Sequence, residues 1–113
     1  MQSQVLKWAG GEHEFALSVK DLLALQDRCG GVDGVGLIFQ RLQQGSWRVQ
    51  DVVSTLALGL EGDKFSRIEA QQLVEETALS KGLAELSVIA LAVLANALYG
   101  YPEEPGESEV ETS

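Results

Sequence analysis

The sequence predicts a mainly α-helical fold of small α+β type: an N-terminal β-hairpin, about five short helices and an acidic C-terminal tail. Apolar residues recur at three- and four-residue spacing along most of the chain, and glycines divide these amphipathic segments into short lengths. A chain of 113 residues with 45% hydrophobic residues can build one modest core. We therefore predict a single helical domain with its hairpin over residues 1–101 and a disordered tail over 102–113.

The first predicted element is a hairpin of two strands, Val5–Ala9 and His13–Val19. The glycine pair between them supplies the positive φ of a tight turn, and apolar residues alternate along the second strand as on one buried face. Two strands alone are marginal in water. We therefore expect the hairpin to lie against the helices or to pair with another chain.

The first helix is predicted to begin at Ser18, whose hydroxyl can accept a hydrogen bond from the backbone amide near Asp21. Its apolar stripe includes Cys29, and Gly30 and Gly31 end it. Because no histidine or basic cluster is near Cys29 in the sequence, we interpret it as a buried structural thiol rather than a reactive nucleophile.

The second helix is predicted to have Asp33 as its cap and Gly45 as its end. Gly34 and Gly36 lie in its first turn but lack the Gly-Lys-Ser/Thr of a phosphate loop and the third glycine of a dinucleotide fingerprint. These glycines therefore indicate a weak helix start or close helix packing.

The third helix is predicted to start at Ser46 and to carry a continuous apolar stripe, in which Gly59 would permit another element to approach closely. Trp47 at its entry is interpreted as a hydrophobic staple, with a partner-facing anchor as the alternative. The predicted stripe consists of Val49, Val52, Val53, Leu56 and Leu60.

The fourth helix begins with a capping box formed by Ser66 and Glu69. Its predicted inward-facing residues are Ile68, Leu73, Val74 and Thr77. After Gly82 the fifth helix, Leu83–Tyr99, is apolar nearly all round and must be enclosed. Since four short helices can scarcely surround it, we expect part of its surface to meet another subunit or a client. We predict a homo-oligomer that associates through this helix or the hairpin edge.

Charge and composition restrict the function classes. The chain has 8 basic and 17 acidic residues, a net charge of −9, and its basic residues are scattered, so nucleic acid is not an expected partner. A single cysteine excludes an intrachain disulfide and a thiolate zinc cluster. The longest apolar stretch is shorter than the roughly 20 residues of a membrane span, and we predict a cytoplasmic protein without a membrane partner.

Catalysis has no support in the sequence. His13 is the single histidine, with no serine or cysteine at a recognisable motif distance, and is interpreted as a solvated residue. An acidic carrier protein needs a serine at a helix start, where this chain has Asp33-Gly-Val. We predict no enzyme activity and no catalytic, cofactor-binding or metal-binding residue.

An ordered series of residues runs through the first three predicted helices: Leu22, Leu25, Gly30, Arg41, Leu42, Gly45, Asp51, Val52, Leu56, Gly59 and Leu60. Their order resembles the small tail assembly chaperones of siphophages and gene transfer agents, encoded near the tape-measure gene. In that family a strand enters a LxxLxxLE-like helix, and helices ending in RLxxG and of the form xxDVxxxLxxGL follow. The resemblance covers about residues 5–99.

The resemblance implies a non-enzymatic protein that binds the tape-measure protein, keeps it soluble and recruits tail-tube subunits around it in the host cytoplasm. We expect the fifth helix and the third-helix stripe to offer apolar grooves, and the acidic tail to add solubilising charge. Two alternatives stay open: a structural tail component of a virion and a generic helical protein-interaction module. The predicted protein-interaction residues are Trp47, Leu86, Ile89, Val93 and Leu94.

Overall fold

The computed structural model describes residues 4–8, 11–61 and 65–100. Two short segments, β1 (Gln4–Trp8) and β2 (Gly11–Phe15), pair antiparallel, with Gln4 opposite Phe15. Five helices follow them in this part of the chain. They are α1 (Val19–Arg28), α2 (Val35–Gln44), α3 (Val49–Leu60), α4 (Arg67–Lys81) and α5 (Leu83–Tyr99).

The fold is mainly α-helical, and the predicted small α+β class with an N-terminal hairpin is wrong as a description of it. The helices build the core, and the described chain contains no sheet layer for them to pack on beyond the paired segment. The strand predicted over His13–Val19 does not form: extended pairing stops at Phe15, and Val19 is the exposed first residue of α1. The reason is local, because Ser18 caps the helix and starts it before Val19 can continue a strand.

Helix α3 is the centre of the molecule. Every residue from Asp51 to Leu60 is buried, and α3 packs against α1, α2, α4, α5 and β2. Gly59 permits the closest approach, since a Cβ added there would lie 3.0 Å from Phe15 Cδ1 and 3.5 Å from Val93 Cγ1. The Ala16 amide also donates a 3.0 Å hydrogen bond to the Gly59 carbonyl. The close approach predicted at this glycine is confirmed.

Helix α5 is covered on one side. Its buried residues are Leu86, Ser87, Ala90, Val93 and Leu94, which face α2, α3 and α4. Val88 and Tyr99 are 67% and 75% exposed on its outward side. The helix with the most apolar sequence is therefore not the most enclosed one, a position that belongs to α3.

Three of the five predicted helix starts are confirmed: α5 begins at Leu83, and capping boxes start α1 and α4. The Ser18 hydroxyl accepts from the Asp21 amide at 3.2 Å, and the Asp21 carboxylate accepts from the Ser18 amide at 2.9 Å. Ser66 and Glu69 form the same reciprocal pair at the start of α4, at 3.2 and 2.9 Å. Each pair satisfies amides that the first helical turn leaves without an intrahelical partner.

The other two predicted starts are wrong, by one residue at α2 and by three at α3. Gly34, not Asp33, is the residue before α2, because the Asp33 carboxylate is held by Arg41 instead. Helix α3 begins at Val49 rather than Ser46, where the Asp51 carboxylate accepts from the Arg48 amide at 2.8 Å. In both cases an ion pair from another segment decides where the carboxylate points.

Two residues predicted to face inward are exposed. Val49 is 53% exposed because it precedes the enclosed part of α3. Ile68 is 71% exposed, since it lies two residues before buried Ala70 and hence about 200° round the helix from it. Of the other residues predicted to face inward in α4, Val74 and Thr77 are buried and Leu73 packs against the core.

Candidate protein-binding surface

A buried ionic network fixes the start of α3 against α2. The Arg41 guanidinium donates two 2.8 Å hydrogen bonds to the Asp51 carboxylate, which is fully buried, and a third of 2.8 Å to Asp33. Arg48 adds its backbone amide to Asp51 and a 3.5 Å ion pair to Asp33. This network ties the α1–α2 connection, α2 and α3 together, so Arg41 and Asp51 have a structural role.

The network holds Asp51 and Arg41 in their charged forms. Burial opposes ionisation of Asp51, but the hydrogen bonds from Arg41 and from the Arg48 amide outweigh it, so the pKa of this carboxyl lies below its usual value. The hydrogen bond to Asp51 raises the pKa of Arg41 above its usual value, against the effect of burial. A two-pronged guanidinium–carboxylate pair of this kind is among the stronger polar contacts in proteins.

Cys29 lies beside this network. It is a buried thiol, as the sequence predicted. It is 1% exposed and its Sγ donates to the Gln50 carbonyl at 3.5 Å. Burial raises the pKa of Cys29 to about 12, and the negative charge of Asp51 adds to the rise. The thiolate needed for nucleophilic chemistry is therefore disfavoured.

An open groove lies between the outer side of α4 and the start of α3. Its volume is about 840 Å³. Val53 and Ser54 of α3 are its most buried lining residues, whereas Ile68 and Leu79 of α4 are 71% and 89% exposed. The remaining lining residues are Arg28, Val49, Gln50, Arg67, Gln71, Gln72, Glu75, Ala78 and Leu83. We call this surface the α3–α4 groove.

The charged residues along the α3–α4 groove are few, and two of the three have a nearby partner. Arg28 is paired with Glu61 at 2.8 Å, and Glu75 accepts a 2.9 Å hydrogen bond from Gln71. Arg67 is exposed at the start of α4. The groove is therefore apolar and amide-rich in a chain whose net charge is −9. Such a surface suits contact with another protein.

The structure places the predicted interaction residues apart from this groove. Leu86, Val93 and Leu94 lie in the core of the single chain, with 1% or less exposure. Trp47 and Ile89 are partly buried and pack against that core. In this conformation the three core residues support α5 from within rather than present themselves to a partner.

Sequence reasoning missed the exposed residues of the groove. Ile68 and Leu79 are eleven residues apart, which places them on the same side of α4, three turns from each other. That side lies away from buried Ala70, Val74 and Thr77. The sequence did contain a signal for this surface: two apolar residues, eleven positions apart, lie on the otherwise polar side of one helix.

Among the residues that the structure describes, no group of three or more histidine, cysteine, aspartate or glutamate side chains could hold a metal ion. Within the same ranges, no helix is long and apolar enough to cross a membrane. His13 lies in β2, and its side chain is outside the described part of the structure.

The fold and this surface define a small helical bundle that presents an open, largely apolar groove of about 840 Å³. Residues 3–100 match the family described as phage tail tube protein, GTA-gp10, and the chain belongs to that family. It is thus a phage and gene-transfer-agent tail-related protein, as the sequence resemblance implied in general terms. No curated protein and no solved structure matches the chain.

Proposed function

We propose that this protein is a non-enzymatic component of a phage-type tail, whose work is to bind other tail proteins. The family match over residues 3–100 carries the proposal, because it covers every residue that the structure describes. The exposed apolar lining of the α3–α4 groove supports it, since such a surface is typical of protein contacts. The buried, protonated thiol of Cys29 also fits a protein without nucleophilic chemistry.

A second candidate function is that of a tail assembly chaperone. In this role the protein would bind the tape-measure protein, keep it soluble and help to recruit tail-tube subunits. The observation that favours it is the helical body with an open groove. A subunit of a tube built from a closed sheet needs several long strands, whereas the described chain is mainly helical. The excess of acidic residues would keep a complex with an apolar client in solution.

We also propose a homo-oligomer that associates through the outward side of α5. Val88 and Tyr99 are exposed there, and Ile89 is only partly covered. Leu86, Val93 and Leu94 would then act indirectly by fixing the position of α5, and Trp47 by fixing the start of α3. Light scattering at high micromolar concentration tests this proposal, and a wild-type monomer would contradict it.

The location of the protein after assembly distinguishes the two functions. Cells that make the particles would be separated into purified particles and particle-free lysate, and the protein would be quantified by mass spectrometry in both. A structural tail component is expected in particles in a fixed ratio to the tube protein. A chaperone is expected in the lysate, bound to the tape-measure protein, and absent from particles.

A deletion of the gene serves as the control for both functions. Loss of tails on deletion, restored by the wild-type gene on a plasmid, is the expected result. Normal tails in the deletion strain would contradict the tail function in either form.

A further inference from the structure

The geometry of the α3–α4 groove points to a specific kind of occupant. We infer that it binds a three-turn amphipathic α-helix from another tail protein, an inference that rests on the proposed function. The argument uses three properties of the groove: its helical walls, its length and the order of its apolar and polar side chains.

The walls of the groove exclude an extended segment. Its lining residues belong to α1, α3, α4 and α5, so the described walls contain no sheet edge, and the backbone amides left free there are those of the first helical turns. An extended peptide needs backbone partners at a sheet edge, and these described walls have none to offer. A helix satisfies its own backbone, so only its side chains need partners, and these walls supply side chains.

The length of the groove fits three helical turns. Ile68 and Leu79 mark its two ends along α4 and are eleven residues apart, which corresponds to about 16 Å of helix. Gln71, Gln72 and Glu75 lie between them on the same side. Along the axis of α4, this side of the helix is therefore apolar at one end, polar in the middle and apolar at the other end.

This order specifies the partner helix. It should carry an apolar side chain at each end of a three-turn segment, to cover Ile68 at one end and Leu79 at the other. Between them it should carry an amide or basic side chain opposite Glu75. An acidic residue at the Ile68 end would complement exposed Arg67.

Charge favours a different chain over a second copy of this one. The chain has 17 acidic and 8 basic residues, so a second copy seated in the groove would meet like charge. Association through α5, which carries a single charged residue, Glu85, brings fewer charged side chains together than association through the groove, which is lined by Arg28, Arg67 and Glu75. A neutral or basic helix from another tail protein meets no such repulsion. Self-association through α5 uses another surface and does not compete with this occupant.

The test is a binding measurement with labelled peptides of about 15 residues, long enough for three turns and their caps. The peptides would tile the tail-tube and tape-measure proteins of the tail to which this protein belongs. Binding to the full chain would be measured by fluorescence anisotropy, and helix formation by circular dichroism. We expect at least one amphipathic peptide to bind and to gain helix content.

The groove variants are Leu79→Glu and Ile68→Glu, and the matched control is Val32→Glu. Leu79 and Val32 are 89% and 90% exposed, so neither change should affect folding. We expect each groove variant to weaken peptide binding by about tenfold or more, and the control to leave it unchanged. Equal binding by all variants, or binding without helix formation, would overturn the inference.

Two further outcomes keep the inference separate from the proposed function. If wild type is a dimer that Leu79→Glu dissociates, the groove is covered by a second copy and the inference is wrong. If no peptide binds while deletion of the gene still abolishes tails, the inference is wrong and the tail function stands. If deletion leaves tails intact, the function itself is contradicted.

Discussion

Helices α3 and α4 pack against each other but use their surfaces in opposite ways. Every residue of α3 from Asp51 to Leu60 is buried, whereas the longer α4 buries only Ala70, Val74 and Thr77. A helix enclosed on all sides contributes to stability, and a helix with a free side can carry a binding surface without loss to the core. Substitutions in α3 should therefore affect folding, and substitutions on the outer side of α4 should affect binding.

The largest effect is expected at the ionic network that starts α3. Asp51→Asn leaves the Arg41 guanidinium, which is 12% exposed, without its buried counter-charge. We expect the free energy of unfolding to fall by roughly 3 kcal/mol, the scale for breaking a buried ion pair from one side. Urea unfolding followed by circular dichroism measures it. Glu75→Gln on α4 is the matched control and should change stability by less than about 0.5 kcal/mol.

The same carboxyl gives the folded state a pH dependence. Burial disfavours the charge on Asp51, yet hydrogen bonds from Arg41 and the Arg48 amide hold its pKa below the usual value. A carboxyl of this kind contributes stability that is present above its unfolded pKa of about 3.9 and is lost as pH falls through the lower folded pKa. Below about pH 4, wild-type stability should fall more steeply than that of Asp51→Asn. Parallel curves in a urea series would contradict this assignment.

A pair of leucines compares the two helices directly. Leu56 in α3 is fully buried, and Leu79 in α4 is 89% exposed. We expect Leu56→Ala to cost about 3 kcal/mol, from lost burial and the cavity left behind, and Leu79→Ala to cost less than about 0.5 kcal/mol. Thermal unfolding of both variants provides the measurement. Similar losses in the two would show that α4 is enclosed in solution.

Helix starts give a smaller contrast. Ser66 caps α4 with its hydroxyl, whereas α3 begins at Val49, three residues after Ser46. We expect Ser66→Ala to lower the free energy of unfolding by about 1 kcal/mol and Ser46→Ala to leave it nearly unchanged. Chemical denaturation resolves the difference. A larger loss at Ser46 would place the start of α3 earlier than described.

The smallest effect on folding is expected outside both helices. Residues 102–113 contain five glutamates and few apolar side chains, so the sequence predicts too little burial to offset the entropy of ordering. Removing them should leave the melting temperature unchanged and lower solubility, because more than half of the net charge of −9 is there. A melting temperature lowered by many degrees would show that this segment docks on the body.

Features set by neighbouring residues were predictable from the sequence. The capping boxes at Ser18 and Ser66 depend on residues three positions apart, and Gly45 ends α2 with a φ of 81° that favours glycine. The burial of Cys29 also followed from its place on a helical stripe. Each of these signals is complete within two helical turns of the chain.

Features set by distant contacts were not predictable in the same way. Periodicity shows which side of a helix is apolar but not which neighbour covers it. The sequence therefore predicted α5, the most apolar helix, as the one enclosed on all sides. Helix α3 takes that place because its small and polar residues fit the interior: the Thr55 hydroxyl donates to the Asp51 carbonyl at 2.6 Å. Likewise, the burial of Asp51 depends on Arg41, ten residues earlier on another helix. The groove on α4 depends on the absence of cover over Ile68 and Leu79 in the described chain.

The contact at Gly59 has a consequence for the order of events during synthesis. Phe15 leaves the ribosome early, but the backbone that it packs on is that of Gly59 in α3, more than forty residues later in the chain. Domains commonly fold as units while the chain emerges from the N-terminus onward. Here the segment before α1 cannot pack on its partner until α3 has been made. A chain stalled before Gly59 should therefore leave its N-terminal segment open to proteolysis, while the local turns of α1 and α2 are already able to form.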